Sequence, residues 1–344
     1  LGGVIIFAVI LSITLTFYHD TYSKLFFISG ALIVFILGIF DDIRSINWPT
    51  KFLVQSFAVV LMILSLSEYQ YPTIIFANFT LPYGINYFVL FILILGILNS
   101  FNLMDGLDGL VTGYSLIVAS MCFLLNMGSG MIFTGYLSAA IIGTTLGFLK
   151  FNANPARIFL GDSGSLTLGY LVTSLVVVIS GVVSVNPQHN VQAYSSSIDL
   201  TFVIIALALP ITDTLRVILV RFKKGNSLFL ADANHLHHIL LNKKIKHKTV
   251  VLLIHIFSVT FVLLAIYYAK FSKINGLLIF TVLLFLFFSI DYILSFLIKK
   301  RVLITYSKLY NSIPELIPKI YKKILLPLIA LSLVGLFAFL LLNE

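Results

Sequence analysis

The chain has 344 residues, 60% hydrophobic and only 10% charged, with a mean hydropathy of +1.08. A soluble globular domain carries about 25% charged residues, so composition excludes that class and indicates an all-α polytopic membrane protein. The net charge of +9 at pH 7 reads as membrane topology plus attraction to anionic headgroups, with no support for nucleic acid as a partner.

In chain order, apolar runs of bilayer-spanning length, or nearly so, fall at 4–17, 24–40, 52–67, 86–99, 110–126, 131–149, 166–185, 199–220, 250–269, 276–298 and 325–342. They predict about 10–11 transmembrane helices. One membrane domain is expected over 1–300, followed by a basic segment and a final helix over 301–344. The abrupt start at Leu1-Gly2-Gly3 is expected to mark a fragment. Cys122 lies within an apolar run and reads as core.

Counting runs puts the loops 41–51, 100–109, 150–165, 221–249 and 299–324 on one side of the bilayer. That side carries 18 of the 22 Lys and Arg residues, so it is expected to be cytoplasmic. The same side holds every polar cluster of the chain.

The first cluster is Asp41-Asp42, at the end of an apolar run. Adjacent carboxylates suit a helix end, where each can reach a different group; the plain alternative is an acidic stop with Arg44 or Lys51 as counter-ion. The second is Asn99-Ser100-Phe101-Asn102-Leu103-Met104-Asp105-Gly106-Leu107-Asp108-Gly109. Polar groups at a membrane boundary mark a site by default. A helical turn would set Asp105 and Asp108 on one face, where carboxylates beside glycine backbone suit Mg²⁺ and a nucleotide diphosphate. The plain alternative is a helix start capped by either aspartate.

The third stretch, Phe151-Asn152-Ala153-Asn154-Pro155-Ala156-Arg157-Ile158-Phe159-Leu160-Gly161-Asp162-Ser163-Gly164-Ser165, opens a helix. It is expected to offer free N–H groups and a positive dipole end to phosphate, with Asp162 as a Mg²⁺ ligand; a capped turn is the alternative. The fourth, Asp232-Ala233-Asn234-His235-Leu236-His237-His238, lies in the most basic loop. His235 and His238 could share a helical face, but no Cys accompanies them for zinc, so the ring N–H groups are read as donors to phosphate or sugar oxygens. His19, His189, His247 and His255 are isolated and read as structural. Asp213 and Arg216 lie three apart inside a run and are read as an intramembrane ion pair or as catalytic residues.

Taken together, these four motifs resemble the polyprenyl-phosphate N-acetylhexosamine-1-phosphate transferases of the bacterial undecaprenyl-phosphate GlcNAc-1-phosphate transferase type, relatives of the phospho-MurNAc-pentapeptide translocase. Leu1-Gly2-Gly3 looks like the tail of that family's Pro-x-x-Gly-Gly motif, and the likeness extends to about residue 300. The resemblance implies transfer of a sugar 1-phosphate from a UDP-N-acetylhexosamine to undecaprenyl phosphate, with release of UMP. It also implies Mg²⁺ (with Mn²⁺ as substitute), a bacterial inner-membrane location, a cytoplasmic site and a homodimer.

Carried over by position, Asp162 resembles the principal metal ligand, with Asn102 and Asp105 near the metal-diphosphate. Asp108 and Leu107 resemble uracil-contacting positions, Phe159 the stacking ring, and Asn152 a residue near the nucleotide pocket. Asp41 and Asp42 match the pair that binds or activates the lipid phosphate, and His235, His237 and His238 match the loop at the diphosphate and sugar. The His-Leu-His-His spacing is similar to the GlcNAc-1-phosphate branch. UDP-GalNAc, a modified hexosamine or UDP-MurNAc-pentapeptide are the alternative donors. A transporter or lipid flippase is the alternative from another class, although it calls for midplane acids or related repeats, and here, apart from Asp213 and Asp291, the acids are expected to cluster at one membrane face.

Overall fold

A computed structural model describes residues 2–18, 21–66, 73–76, 79–80, 82–127, 129, 131–184, 197–225 and 235–299. The expected helix at 325–342, and Asp232 and Asn234 of the histidine loop, lie outside the described residues. The chain divides into two compact units, Leu1–Leu284 and Phe285–Glu344.

The first ten apolar runs all fold as helix. In order they are α1 (Gly2–Phe17), α2 (Thr21–Ile43), α3 (Trp48–Ser65), α4 (Tyr83–Met104), α5 (Leu110–Asn126), α6 (Ile132–Asn152), α7 (Gly161–Ser184), the pair α8 (Leu200–Ala206) and α9 (Ala208–Lys224), then, after the short α10 (Leu236–Asn242), α11 (His247–Lys270) and α12 (Lys273–Lys299). Six of these helices are long and apolar enough to cross a membrane, or seven if α8 and α9 count as one span. This bears out an all-α multi-pass membrane protein, but with six or seven spans among the described residues rather than the expected 10–11, because α1 and α5 are shorter apolar helices and α8 and α9 are sharply bent.

Local chemistry sets several boundaries. Asn47 caps α3 by accepting from the Thr50 amide at 3.1 Å, with Pro49 in the first turn, and α9 ends on the left-handed Gly225. The expected single run at 199–220 breaks instead, and α8 and α9 meet at 83°. Pro210 explains the break, because it has no N–H for the Ala206 carbonyl and its ring crowds that oxygen. The Tyr114 hydroxyl approaches the same carbonyl at 3.5 Å.

The core is built around α7. Its spanning window is 89% buried, whereas the other five candidate spans among the described residues are 28–44% buried, so α7 is the most enclosed of the six. Gly3 of α1 and Gly38 of α2 let both helices close on the first turn of α7. A Cβ on Gly3 would lie 2.6 Å from the Gly164 amide nitrogen, and one on Gly38 would lie 2.5 Å from that of Ser163.

Three short strands, which helix periodicity did not predict, join the far ends of α3, α4 and α7. The strands β1 (Thr73–Phe76), β2 (Phe79–Thr80) and β3 (Ser197–Asp199) run in the order β2-β1-β3. The β1–β2 pair is antiparallel, with Phe76 opposite Phe79, and β1–β3 is parallel, with Ile75 opposite Asp199.

Candidate active site

Three of the four polar motifs converge where α7 begins, and the fourth, the histidine segment, rests on the Asp105–Asp108 turn. Asp42, at the end of α2, sends its carboxylate to the first turn of α7. It accepts from the amides of Asp162 (2.7 Å) and Ser163 (3.2 Å) and from the Ser163 hydroxyl (2.7 Å). This is a helix N-cap supplied by a different helix. Gly161 is required there twice over: its φ is +71°, and a Cβ would lie 2.8 Å from both Asp42 carboxylate oxygens. The expectation of free N–H groups at this terminus is therefore corrected for two of them, since Asp42 already occupies both.

Asp41 faces the other way. It accepts from the Ile46 amide at 2.6 Å and pairs with Lys51 in the first turn of α3. Lys51 Nζ also reaches Asp162 Oδ2 at 2.9 Å, so one ammonium links α2, α3 and α7. From sequence alone Lys51 is expected only as a counter-ion; its one signal is a lone Lys just before the run at 52–67. The Asp41 side chain is 7% exposed and that of Asp162 30%, so the open end of this chain of charges is Asp162.

From α4, Asn102 donates to the Ser165 hydroxyl at 3.3 Å and also bonds Asp162. Asp105 follows as the C-cap of α4. The expected shared helical face for Asp105 and Asp108 does not form, because α4 stops at Met104 and the chain turns until α5 starts after Gly109, at φ +77°. Neither aspartate caps α5, which has no side-chain cap. Among the described residues no hydrogen bond reaches the Asp105 carboxylate. Burial, with the charges of Asp162, Asp42 and Asp108 nearby, pushes its carboxyl well above the usual range. The site thus holds more negative charge than Lys51 balances, and Asp105, Asp162 and Asn102 are the oxygen donors available to a cation. Among the described residues no group of three or more His, Cys, Asp or Glu side chains is already gathered as a metal site.

The remaining candidates divide between exposed and engaged positions. Asn152 is buried and works as a bracket: its Oδ1 accepts from the Gly109 amide (3.1 Å) and the Thr112 hydroxyl (2.9 Å), while its amide donates to the Ile158 carbonyl (3.0 Å). Asp108 accepts from the Asn154 side chain (2.8 Å) and the Ala156 amide (3.1 Å). Together they tie the 105–109 turn to the loop before α7. Leu107 is buried, whereas Phe159, three residues before Asp162, is 70% exposed.

The histidine segment also turns inward. His235 is the N-cap residue of α10, so the expected helical face shared with His238 is replaced by a ring held outside the helix. Its Nδ1 lies 2.8 Å from Asp213 Oδ2, and the Leu236 amide donates to Asp213 Oδ1 at 2.7 Å. Asp213 therefore serves α10 rather than forming the expected pair with Arg216. His237 is buried, with its ring centroid 5.8 Å from that of His235 and 4.2 Å from that of His238. Its Nε2 abuts Gly106, where a Cβ would come within 2.5 Å. Burial and the neighbouring His238 lower its pKa to about 4, so it is neutral at pH 7. His255, expected to be structural, bonds the Leu110 carbonyl at 3.1 Å.

With that geometry in place, the comparisons with known proteins decide the family. The family model described as glycosyl transferase family 4 matches residues 24–180. A Bacillus subtilis protein named "Probable undecaprenyl-phosphate N-acetylglucosaminyl 1-phosphate transferase" is 32% identical over 268 residues, which cover 77% of this chain and 72% of that protein. This chain belongs to glycosyl transferase family 4. Decaprenyl-phosphate N-acetylglucosaminephosphotransferase of Mycobacterium tuberculosis is 30% identical over 266 residues, 74% of this chain and 66% of that protein. Phospho-N-acetylmuramoyl-pentapeptide-transferase of Clostridioides difficile is 35% identical over 200 residues, 53% of this chain and 61% of that protein. Against these last two, this family member spans just under two thirds of the relatives' length.

Proposed function

We propose that this transferase moves N-acetylhexosamine 1-phosphate, GlcNAc 1-phosphate in the first instance, from its UDP-sugar to undecaprenyl phosphate at the cytoplasmic face of a bacterial inner membrane. An oxygen of the lipid phosphate attacks the β-phosphorus; the bridging oxygen departs with UMP and leaves polyprenyl-diphospho-sugar. The observation that carries this reading is the convergence of Asp42, Asp105 and Asp162 on one helix start beside Lys51, next to an exposed aromatic ring. The relatives' names supply the substrate classes, and the Lys and Arg bias supports the orientation.

A phosphate monoester is largely dianionic near pH 7, its second pKa being about 6, so the reaction asks for charge neutralisation more than for a strong base. The uncompensated carboxylates fit Mg²⁺, which would be held by Asp105, Asp162 and Asn102. When bound, the ion supplies positive charge at the diphosphate. Lys51 adds a second positive charge where two anions meet. Asp42 keeps the first turn of α7, and with it Asp162, in place. Phe159 offers its face to the base.

The test uses purified protein with undecaprenyl phosphate, UDP-GlcNAc and Mg²⁺, following UMP release with and without EDTA. Metal-dependent release that requires the lipid phosphate is expected. Release from UDP-MurNAc-pentapeptide or UDP-GalNAc alone would move the sugar assignment, and no release from any donor would overturn the reading.

A further inference from the structure

We propose that Asp213 and His235 are a positioning pair: a strut that holds α10 against the Asp105–Asp108 turn, with His235 acting through Asp213 rather than on substrate. The inference rests on the transfer reading above and reassigns one of the three histidines that the family resemblance places at the diphosphate and sugar.

Asp213 is buried on α9, and its two oxygens are divided between two tasks. Oδ1 takes the Leu236 amide at 2.7 Å, one of the N–H groups that the start of a helix leaves unpaired, and Oδ2 takes His235 Nδ1 at 2.8 Å. A carboxylate at this separation accepts, so Nδ1 carries the hydrogen and the ring is fixed in one tautomer and one orientation. His235 is 4% exposed. The ring next in line, His237, is equally enclosed and rests on Gly106, one residue from Asp105. The chain of contacts therefore runs from Asp213 through His235 and His237 to the turn that carries the uncompensated carboxylate. Of the three rings, His238 alone is not fully buried, which leaves it as the one presented to substrate.

Four variants of the full chain test the pair: Asp213→Ala, His235→Ala, the double alanine and His235→Asn. The asparagine amide can stand where Nδ1–H stood and still donate to Asp213, but it has nothing at the Nε2 position. Asp213→Ala and His235→Ala should each lower kcat for UMP release by roughly 10- to 100-fold, as expected for a bond to a charged group. The double alanine should be no worse than either single, since the two act as one unit. His235→Asn should stay within about threefold of the parent, because the bond that matters is kept. If His235→Asn falls as far as His235→Ala while Asp213→Ala keeps its activity, His235 touches substrate and the proposal is overturned. Losses that multiply in the double alanine overturn it as well.

Amide hydrogen exchange gives a readout independent of turnover. In Asp213→Ala, exchange over Leu236–Leu240 should accelerate by about tenfold or more, with Leu200–Phe202 unchanged. Unchanged exchange at α10 overturns the strut, whether or not the parent protein releases UMP. Failure of the transfer reading is therefore told apart from failure of this one.

Discussion

Asp162 and Asp199 each hold a lysine beside the start of a helix, at opposite ends of α7, and they are managed in contrary ways. Asp199 has no exposed surface. It caps α8 through the Phe202 amide (3.1 Å), accepts from the Tyr268 hydroxyl (3.2 Å) and pairs with Lys273 (3.0 Å). One carboxylate meets one ammonium there, and its lone pairs are matched. Asp162 shares Lys51 with Asp41, keeps 30% of its side chain open, and lies near Asp105, which has no hydrogen-bond partner among the described residues. A carboxylate satisfied on all sides is a structural part. A group of carboxylates exceeding their cations, at an open mouth, is poised for a ligand that brings positive charge.

That contrast breaks most sharply under substitution. Asp162→Asn should leave the melting temperature nearly unchanged and lower UMP release by at least about 100-fold, since it removes charge at the reacting diphosphate. Normal turnover by this variant would take Asp162 out of the chemistry. Asp199→Ala should do the reverse: it removes the partner of Lys273, Tyr268 and the Phe202 amide, costs about 1–3 kcal/mol of stability, and leaves specific activity per folded molecule intact. Thermal denaturation paired with active-site titration separates the two outcomes.

A smaller effect sharpens the comparison through pH. The pKa of His237 is lowered to about 4 in the folded chain, against about 6.5 for a free imidazole. Its contribution to stability is therefore complete above about pH 6.5 and is lost progressively as pH falls to about 4, at most about 3 kcal/mol for that interval. Amide exchange over α10 should rise across this window before that of Leu200–Phe202 does, and His237→Gln should remove the difference. Equal rises at both ends would show that the acid response does not originate at His237.

The same contrast separates what was legible in the residues from what was not. Ten apolar runs became helices, six of them long and apolar enough to cross a membrane, because length and apolar composition are carried by contiguous residues. The four motifs were legible for a related reason: polar groups at membrane boundaries stand out against apolar neighbours. The run at 199–220 reads as unbroken; only the packed fold shows that the chain turns by 83° near Pro210.

Tertiary structure alone decided how the motif residues are used. Asp42 lies 120 residues from the amide it caps, Lys51 lies 111 from Asp162, and Asp213 lies 22 from His235; no periodicity encodes such pairings. The sequence by itself determined a multi-pass helical transferase with four polar motifs at the ends of its apolar runs. Which carboxylates are already bonded, and that Asp105 has no hydrogen-bond partner among the described residues, emerged only when α1 and α2 closed on the buried start of α7, because hydrogen bonding and burial depend on neighbours that the chain supplies from afar.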